Sequence, residues 1–281
     1  MSAEKKPPEK KKISAGGLKI IFIAAGWLLI FAAAALDTSI AVPVYKIYSD
    51  KVTKSVRIVL LTDFHSSSYG KKQQVLIDAV NAQAPDVILL AGDIFEDVRP
   101  HKHSIELLER LGKAYPCYYV TGNHEVWSGE EDKIKDTVRS LGVTVLAGNG
   151  EVHDFDGQKL RICGVDDPAG GKQFADCVHM TGDGVFTVLM SHRPDLVDLY
   201  SGKGFDLAVC GHAHGGQVRI PGLLNGLYAP NQGVFPKYAG GRYILADGST
   251  EMIVSRGLCK NILPRVFNRP EVVVIDIEPE N

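Results

Sequence analysis

The chain has 281 residues, 45% of them hydrophobic and 23% charged, which is too apolar for a disordered chain and too mixed for a fibrous one. Its formal charge of −2 joins two unlike parts: residues 1–19 hold six lysines and two glutamates, leaving 25 basic and 31 acidic side chains, a net of −6, for the rest. A body at −6 is a poor match to a nucleic-acid backbone, so no nucleic-acid-binding surface is expected, whereas bound metal ions can still admit a small anionic substrate.

Residues 2–12 are lysine, glutamate, proline, serine and alanine and cannot bury anything, so residues 1–17 are expected as a disordered basic leader. From Ile20 to Leu36 the chain runs seventeen residues without a charge; with Leu18 and a snorkelling Lys19 it approaches the ~20 residues that cross a bilayer. A transmembrane anchor is therefore expected over 18–37. Two other readings compete. A buried core helix conflicts with apolar residues on every face beside a polylysine flank. A cleavable signal peptide could use Ala32–Ala35, but the apolar run exceeds the usual ~7–15 residues. The lysine excess orients the N-terminus to the cytoplasm and the body outside it, at the cell membrane. Residues 38–55 are expected as a tether.

From Val56 the pattern becomes a continuous β-branched run, VRIVLLTD, as in a strand buried on both faces. Similar runs recur at 86–93, 117–123, 143–148, 160–166, 186–192, 206–212, 252–255 and 271–278. Helical spacing lies between several of them, at 71–83, 102–112, 130–141 and 194–201. This alternation predicts an α/β domain, read as a single unit over residues 56–281. Its five cysteines (Cys117, Cys163, Cys177, Cys210, Cys259) contain no CxxC pair. The odd, scattered count argues against a zinc ribbon or a disulfide framework, though one bridge stays open in an oxidising compartment.

Several runs stop in the same way, with a metal-competent side chain at or just past the carboxyl end. These are Asp63 and His65 (TDFH), Asp93 (AGD), Asn123 and His124 (TGNHE), His192 (MSHRP), and His212 and His214 (CGHAHGG). In an α/β domain the carboxyl ends of the strands meet in one crevice, so these distant residues should converge. On extended backbone, residues i and i+2 point the same way, so Asp63 with His65, and His212 with His214, could each offer two ligands to one place. A lone His or Asp at a strand end is usually a turn or surface residue; His101 and His103, beside Pro100, and Asp97, Asp166 and Asp167 are read that way. Five of nine histidines in one pattern is a different matter.

The order DxH, GD, GNHE, single His, then GHxH, over residues 63–214, resembles the calcineurin-like metallophosphoesterase family. GGQVRIPG (215–222), KYAGG (237–241), SRGL (255–258) and FNRPE (267–271) are similar to membrane-anchored bacterial members. The resemblance implies a four-layer α-β-β-α sandwich of two mixed sheets flanked by helices, here preceded by one N-terminal transmembrane helix. It also implies two divalent ions: Asp63, His65 and His214 on one, Asn123, His192 and His212 on the other, Asp93 bridging, and His124 as the catalytic histidine. The sequence departs from many relatives at TDFHSSS and at Arg193 after the lone histidine, neither of which touches a ligand.

Mixed oxygen and nitrogen ligands suit Mn²⁺ first, with Fe or Zn²⁺ as alternatives. Two ions sharing a carboxylate generate a hydroxide for in-line attack on phosphorus and neutralise the phosphoryl oxygens. His124 would protonate the leaving oxygen, with Asp63 expected to orient it; Asn123, Arg193 and Arg256 are candidate substrate-binding residues. The expected function is a metal-dependent phosphoesterase acting on a phosphodiester, phosphomonoester or pyrophosphate of a phosphorylated small molecule or lipid-linked substrate at the membrane surface. Leu223, Leu224, Leu227, Tyr228, Phe235 and Tyr238 could form a lip for an acyl chain, or simply pack their loop. The alternative is a membrane-tethered, non-catalytic binding or sensing module on the same fold. No protein partner is implied.

Overall fold

A computed structural model describes residues 15–168, 170–260 and 264–280; residues 1–14 of the expected leader lie outside the described residues. Helix α1 (Ala15–Ala35) is rich in alanine and leucine, both strong helix formers, and Phe22, Trp27, Leu28 and Leu29 on it are each 68–71% exposed. Its last turn is tied to the body. The Phe267 N–H donates to Ala35 O at 2.7 Å, and the Phe31 and Phe267 rings meet edge-to-face at 5.2 Å. Among the described residues no helix is long and apolar enough to cross a membrane; the span expected over 18–37 includes Leu18 and Ile21, whose side chains lie outside the described set.

The tether differs from expectation. Residues 44–49 form strand β1 (Val44–Ser49), which runs parallel to β14 (Val273–Pro279), and an isolated bridge joins Ala41 to Glu271. The alternation in VYKIYS turns Ile47 into the core and Lys46 and Tyr48 outwards, the two-residue period of an edge strand. The folded body therefore begins before residue 56.

β1 and β14 lie at one side of a six-stranded sheet that continues through β2 (Val56–Leu61), β3 (Val87–Ala91), β4 (Cys117–Val120) and the short β5 (Thr144–Val145). β2 to β5 are parallel and β14 is antiparallel to β2. The second six-stranded sheet has the order β12-β13-β9-β8-β7-β6, its members being β6 (Asn149–Phe155), β7 (Gln158–Gly164), β8 (Phe186–Met190), β9 (Leu207–Cys210), β12 (Gly241–Ile244) and β13 (Glu251–Val254). Both sheets are mixed, with β7, β8, β9 and β13 parallel and β6 and β12 antiparallel at the edges. A two-residue hairpin pair, β10 (Tyr228–Ala229) and β11 (Gly233–Val234), stands apart.

The alternation of side chains builds the layers. Ile58, Leu60, Val87 and Leu89 face Leu160, Ile162, Val188 and Val209 of the other sheet in one core. Val59, Leu61, Ile88 and Leu90 point the opposite way, under α2 (Gln74–Asn81), α3 (Lys102–Ala114) and α5 (Glu131–Ser140). Cys163, Leu189 and Ala208 likewise pack on α6 (Gly171–Val178) through Phe174 and Cys177. Both faces of each central strand are thus dry, which is why the sequence shows continuous apolar runs rather than alternation. The helical spacing at 194–201 gives only a 3₁₀ turn at Val197–Leu199; eight residues behind Pro194 are too few for a stable helix, and Tyr200 is buried into the third core instead.

Candidate metal centre

The parallel strands β2, β3 and β4 of one sheet and β8 and β9 of the other end at one edge of the sandwich, and the polar residues that follow them meet there. Asp63, His65, Asp93 and His214 offer ligand atoms within 4.8 Å of one another, as do Asp93, His192 and His212. Asp93 belongs to both sets. Asn123, at the start of the single-turn α4 (Asn123–Trp127), is 3% exposed and adds an oxygen.

The backbone that aims them is not extended. Asp63 (φ 49°), His65 (φ 48°), Asp93 (φ 52°), His212 (φ 66°) and His214 (φ 47°) all lie in the left-handed region, which L-residues adopt at a cost. Asp63 and His65 still reach one place, but His212 and His214 part company: His214 joins Asp63, while His212 joins His192. Close approach of backbone is part of the same device. A Cβ on Gly92 (φ +86°) would sit 2.5 Å from His192 Nδ1, and one on Gly257 (φ +74°) 2.6 Å from Asp63 Cβ.

The histidine tautomers follow from their outer partners. His192 Nδ1 donates to Ala91 O at 2.9 Å, His65 Nδ1 to Glu96 Oε2 at 3.0 Å, and His212 Nε2 to Asn231 Oδ1 at 2.8 Å. In a neutral imidazole each inward nitrogen is then a lone pair. His192 Nε2 faces Asp93 Oδ2 at 3.1 Å, and His65 Nε2 faces the same oxygen at 3.6 Å. His65 Nε2, His192 Nε2, Asp93 Oδ2 and Asn123 Oδ1 are all buried without a hydrogen-bond partner. With the imidazoles neutral, acceptors point at acceptors in a dry pocket, an arrangement a cation between them would satisfy, and the donor set fits divalent ions.

With no ion between them, a proton on His192 Nε2 answers Asp93 instead, at 3.1 Å, a proton that a metal ion would displace. Burial raises the Asp93 carboxyl, but His192, His65 and His124 outweigh it and hold it well below the carboxylate range. Burial lowers His192, but Asp93 and Asp63 lift it to about 10. His214 is pushed down to about 3 by burial, against the pull of Asp63.

His124 stands at the rim. Its ring meets that of His65 edge-on at 4.5 Å, and its backbone N–H donates to Asp93 Oδ1 at 2.9 Å. Its Nδ1 is taken by Asp97 Oδ1 at 2.7 Å and Glu96 Oε1 at 2.9 Å. Those carboxylates, not Asp63, orient it; Asp63 instead accepts the His212 N–H and faces His214 Nε2 at 3.7 Å. Burial lowers the imidazole, but Glu96, Asp93 and Asp97 raise it to about 9. Trp127, 63% exposed, packs against the His124 ring at 4.9 Å between centroids.

Sequence reasoning missed three acids. Asp97 looked like a turn residue, and Glu96 and Glu125 carried no expectation. Glu125 is fully buried, and its carboxylate accepts the N–H groups of Asp93, Ile94, Phe95 and Gly122. The signal was an acid directly after the NH of TGNHE, the third residue of a short helix, where it caps its own N-terminus.

The remaining candidates divide. Arg193 is half-buried, donates from Nε to Asp167 Oδ2 at 2.5 Å, and feels Asp93 as well. Arg256 lies elsewhere: its Nε donates to Glu271 Oε2 at 2.5 Å, and it lines a separate cavity. His101 bonds Glu96 O, and His103 pairs with Gln73 and Glu106, outside the ligand clusters. Asp166 holds Thr121 and Lys135. All five cysteines are buried, and none belongs to the ligand clusters.

Residues 56–216 match the sequence family described as calcineurin-like phosphoesterase. The chain is similar to an uncharacterized metallophosphoesterase, YkuE, of Bacillus subtilis, 28% identical over 233 residues that cover 80% of each chain. It is 28% identical to the phosphodiesterase YaeI of Escherichia coli, over 79% of this chain and 82% of that one. An uncharacterized metallophosphoesterase of Helicobacter pylori is 33% identical over 84% of this chain, which spans 63% of that longer protein.

Proposed function

The chain belongs to the calcineurin-like phosphoesterase family, and from that premise we propose that it hydrolyses a phosphodiester at a dinuclear metal centre, on a substrate presented at a membrane surface. The observation that carries this reading is Asp93: one buried carboxylate common to two ligand sets, facing inward lone pairs that have no protein donor. Asp63, His65 and His214 would hold one ion and Asn123, His192 and His212 the other, with Asp93 between. Two divalent ions bound there, with Mn²⁺ as the first candidate and Fe or Zn²⁺ behind it, would supply Lewis acidity and an activated water.

The protein's own groups then have distinct tasks. His124 Nδ1–H is committed to Glu96 and Asp97, so its Nε2 is the nitrogen free to deliver a proton to the leaving oxygen. Arg193, held by Asp167 and within electrostatic reach of Asp93, is the guanidinium offered to a phosphoryl oxygen. A leaving group next to His124 also meets the exposed indole of Trp127. A diester is favoured because the similar Escherichia coli protein bears the name phosphodiesterase.

The membrane part rests on α1, whose apolar side chains are exposed along the helix, and on the lysine excess before it, which puts the N-terminus in the cytoplasm and the body outside. Protease access to intact cells tests that orientation. The chemistry is tested on the purified full chain. It should hydrolyse bis-p-nitrophenyl phosphate with Mn²⁺, and Asp93→Ala should lose both activity and metal binding. Undiminished hydrolysis in that variant would overturn the assignment.

A further inference from the structure

A cavity of about 400 Å³ lies apart from the metal ligands, lined by Arg219, Leu223, Asn225, Arg256 and Phe267 among others. Its two guanidiniums are unequally satisfied. Glu271 takes both the backbone N–H and the Nε of Arg256. Arg219 has only neutral acceptors among its hydrogen-bond partners: the carbonyls of Gly215 and Asn225, and Asn225 Oδ1. The charged and titratable groups acting on it are Arg256, Glu271, Tyr243 and Tyr45. Burial, then the Arg256 charge, hold its pKa down. Two cations against one carboxylate leave a half-buried positive charge, which an anion would neutralise.

The surroundings of this charge are apolar. Leu223 at the cavity rim is 82% exposed, Ile220 beside it is exposed too, and the β10–β11 hairpin presents Val234 and Phe235 to solvent. That hairpin is joined to the same loop, since Leu227 N–H donates to Gly216 O and Phe235 N–H to Leu227 O. Phe267, a wall of the cavity, is the residue that binds the end of α1 through Ala35 O and Phe31. The cationic cavity therefore sits at the foot of the exposed apolar helix.

We infer that this cavity is a headgroup site for an anionic phospholipid, its phosphate against Arg219 and Arg256 and its chains along Leu223, Phe267 and α1. Free phosphate would answer the arginines but leave Leu223 and Ile220 in water; an uncharged partner would cover the leucine and leave Arg219 without a counter-ion. The inference deepens the membrane reading of α1 and rests on it, but it is independent of the chemistry at the metal centre.

The test uses the full chain in dodecyl maltoside, stripped of metal with EDTA so that the metal centre cannot hold a phosphate. Calorimetric titrations compare dihexanoyl phosphatidylglycerol, dihexanoyl phosphatidylcholine and glycerol 3-phosphate. Phosphatidylglycerol should bind best, and Arg219→Gln should weaken it by at least about tenfold, the scale of one charge-assisted hydrogen bond. Leu223→Asp should weaken it as well; that side chain is too exposed for its loss to unfold the chain. Equal binding of phosphatidylcholine would remove the role of charge, and glycerol 3-phosphate binding as tightly as the lipid would make this a free-anion site. Either result, or wild-type affinity in the Leu223→Asp variant, overturns the proposal. Because hydrolysis plays no part, failure here leaves the phosphoesterase reading standing, and failure of that reading leaves this result interpretable.

Discussion

Glu125→Gln tests the claim that one buried acid shapes the loop that carries Asp93. Its Oε2 accepts the N–H groups of Asp93 at 3.0 Å and Gly122 at 2.8 Å, and its Oε1 those of Ile94 at 2.7 Å and Phe95 at 2.9 Å. Glutamine keeps the shape but turns one oxygen into an amide NH₂, so two of the four donors face a donor. Each buried hydrogen bond left unmade costs ~1–3 kcal/mol, about 2–6 kcal/mol for the two. Something is returned. Burial, then the neighbouring Asp93, push the Glu125 carboxyl up to about 7, so its charge is held at a cost, and deleting it leaves a net loss of about 2–4 kcal/mol. Because the Asp93 N–H is one of the four, Mn²⁺ affinity should also fall, by about 10–100-fold as for other groups that orient metal ligands. Urea melts of the metal-free full chain give the first quantity and calorimetric Mn²⁺ titration the second. Glu125→Ala, which strands all four donors, should be worse than Glu125→Gln. A Gln variant within about 0.5 kcal/mol of wild type, the range of an ordinary surface change, with unaltered Mn²⁺ affinity, would refute the reasoning.

Gly92→Ala adds a Cβ 2.5 Å from His192 Nδ1 at φ +86°; strain plus the loss of the His192 bond to Ala91 should cost about 2–4 kcal/mol, measured by denaturation. Gly129→Ala is its control, also at positive φ (+69°) but with open space around the new carbon, and should cost less. A rate that needs protonated His124 declines as pH rises through that group's pKa. Since Asp97 is one of the charges that raise it to about 9, Asp97→Asn should move the alkaline limb down by about one unit. Bound ions lower the limb in both proteins, so the difference is the readout, and an unmoved limb would take His124 out of the acid role. Trp127→Ala should raise KM for aryl diesters several-fold more than for methyl diesters, with Mn²⁺ affinity unchanged; equal effects on both would reduce the indole to packing.

The residues that gather into the candidate clusters were legible in the sequence because each strand, dry on both faces, reads as an unbroken apolar run whose end is marked by a sudden Asp, Asn or His. What those residues pair with was not. Glu96 and Asp97 sit in a loop after Asp93, where an acid looks like any turn residue, and only the fold brings them to His124. The two-residue period placed His212 and His214 together, but left-handed backbone at both sends them to different ligand sets. β1 carried a visible alternation over 44–49, yet its partner β14 lies some 230 residues away, a distance across which local pattern has nothing to say. Arg256 has the chemistry of a phosphate binder, and only the position of Glu271 shows that its carboxylate, rather than a substrate at the metal ligands, already engages it.

Left-handed backbone at five of the seven proposed ligands costs of the order of 1–3 kcal/mol each and persists only where the surroundings over-determine it. Here the determinants are named. Asp63 N–H is held by Gly92 O, His65 N–H by Asp93 O, Asp93 N–H by Glu125, and the His212 N–H by Asp63 itself. Each ligand loop is therefore fixed by another ligand loop, across both sheets, and the side chains that would meet an ion also hold the turns that present it. This is why the site and the fold cannot be assigned separately: a change at Asp93 or Glu125 that loosens metal binding should loosen the seam between the sheets in the same measure. The buried polar atoms that such a seam leaves facing one another are then a consequence of how the loops are locked, and an ion bound among them would brace the sandwich as well as serve the chemistry.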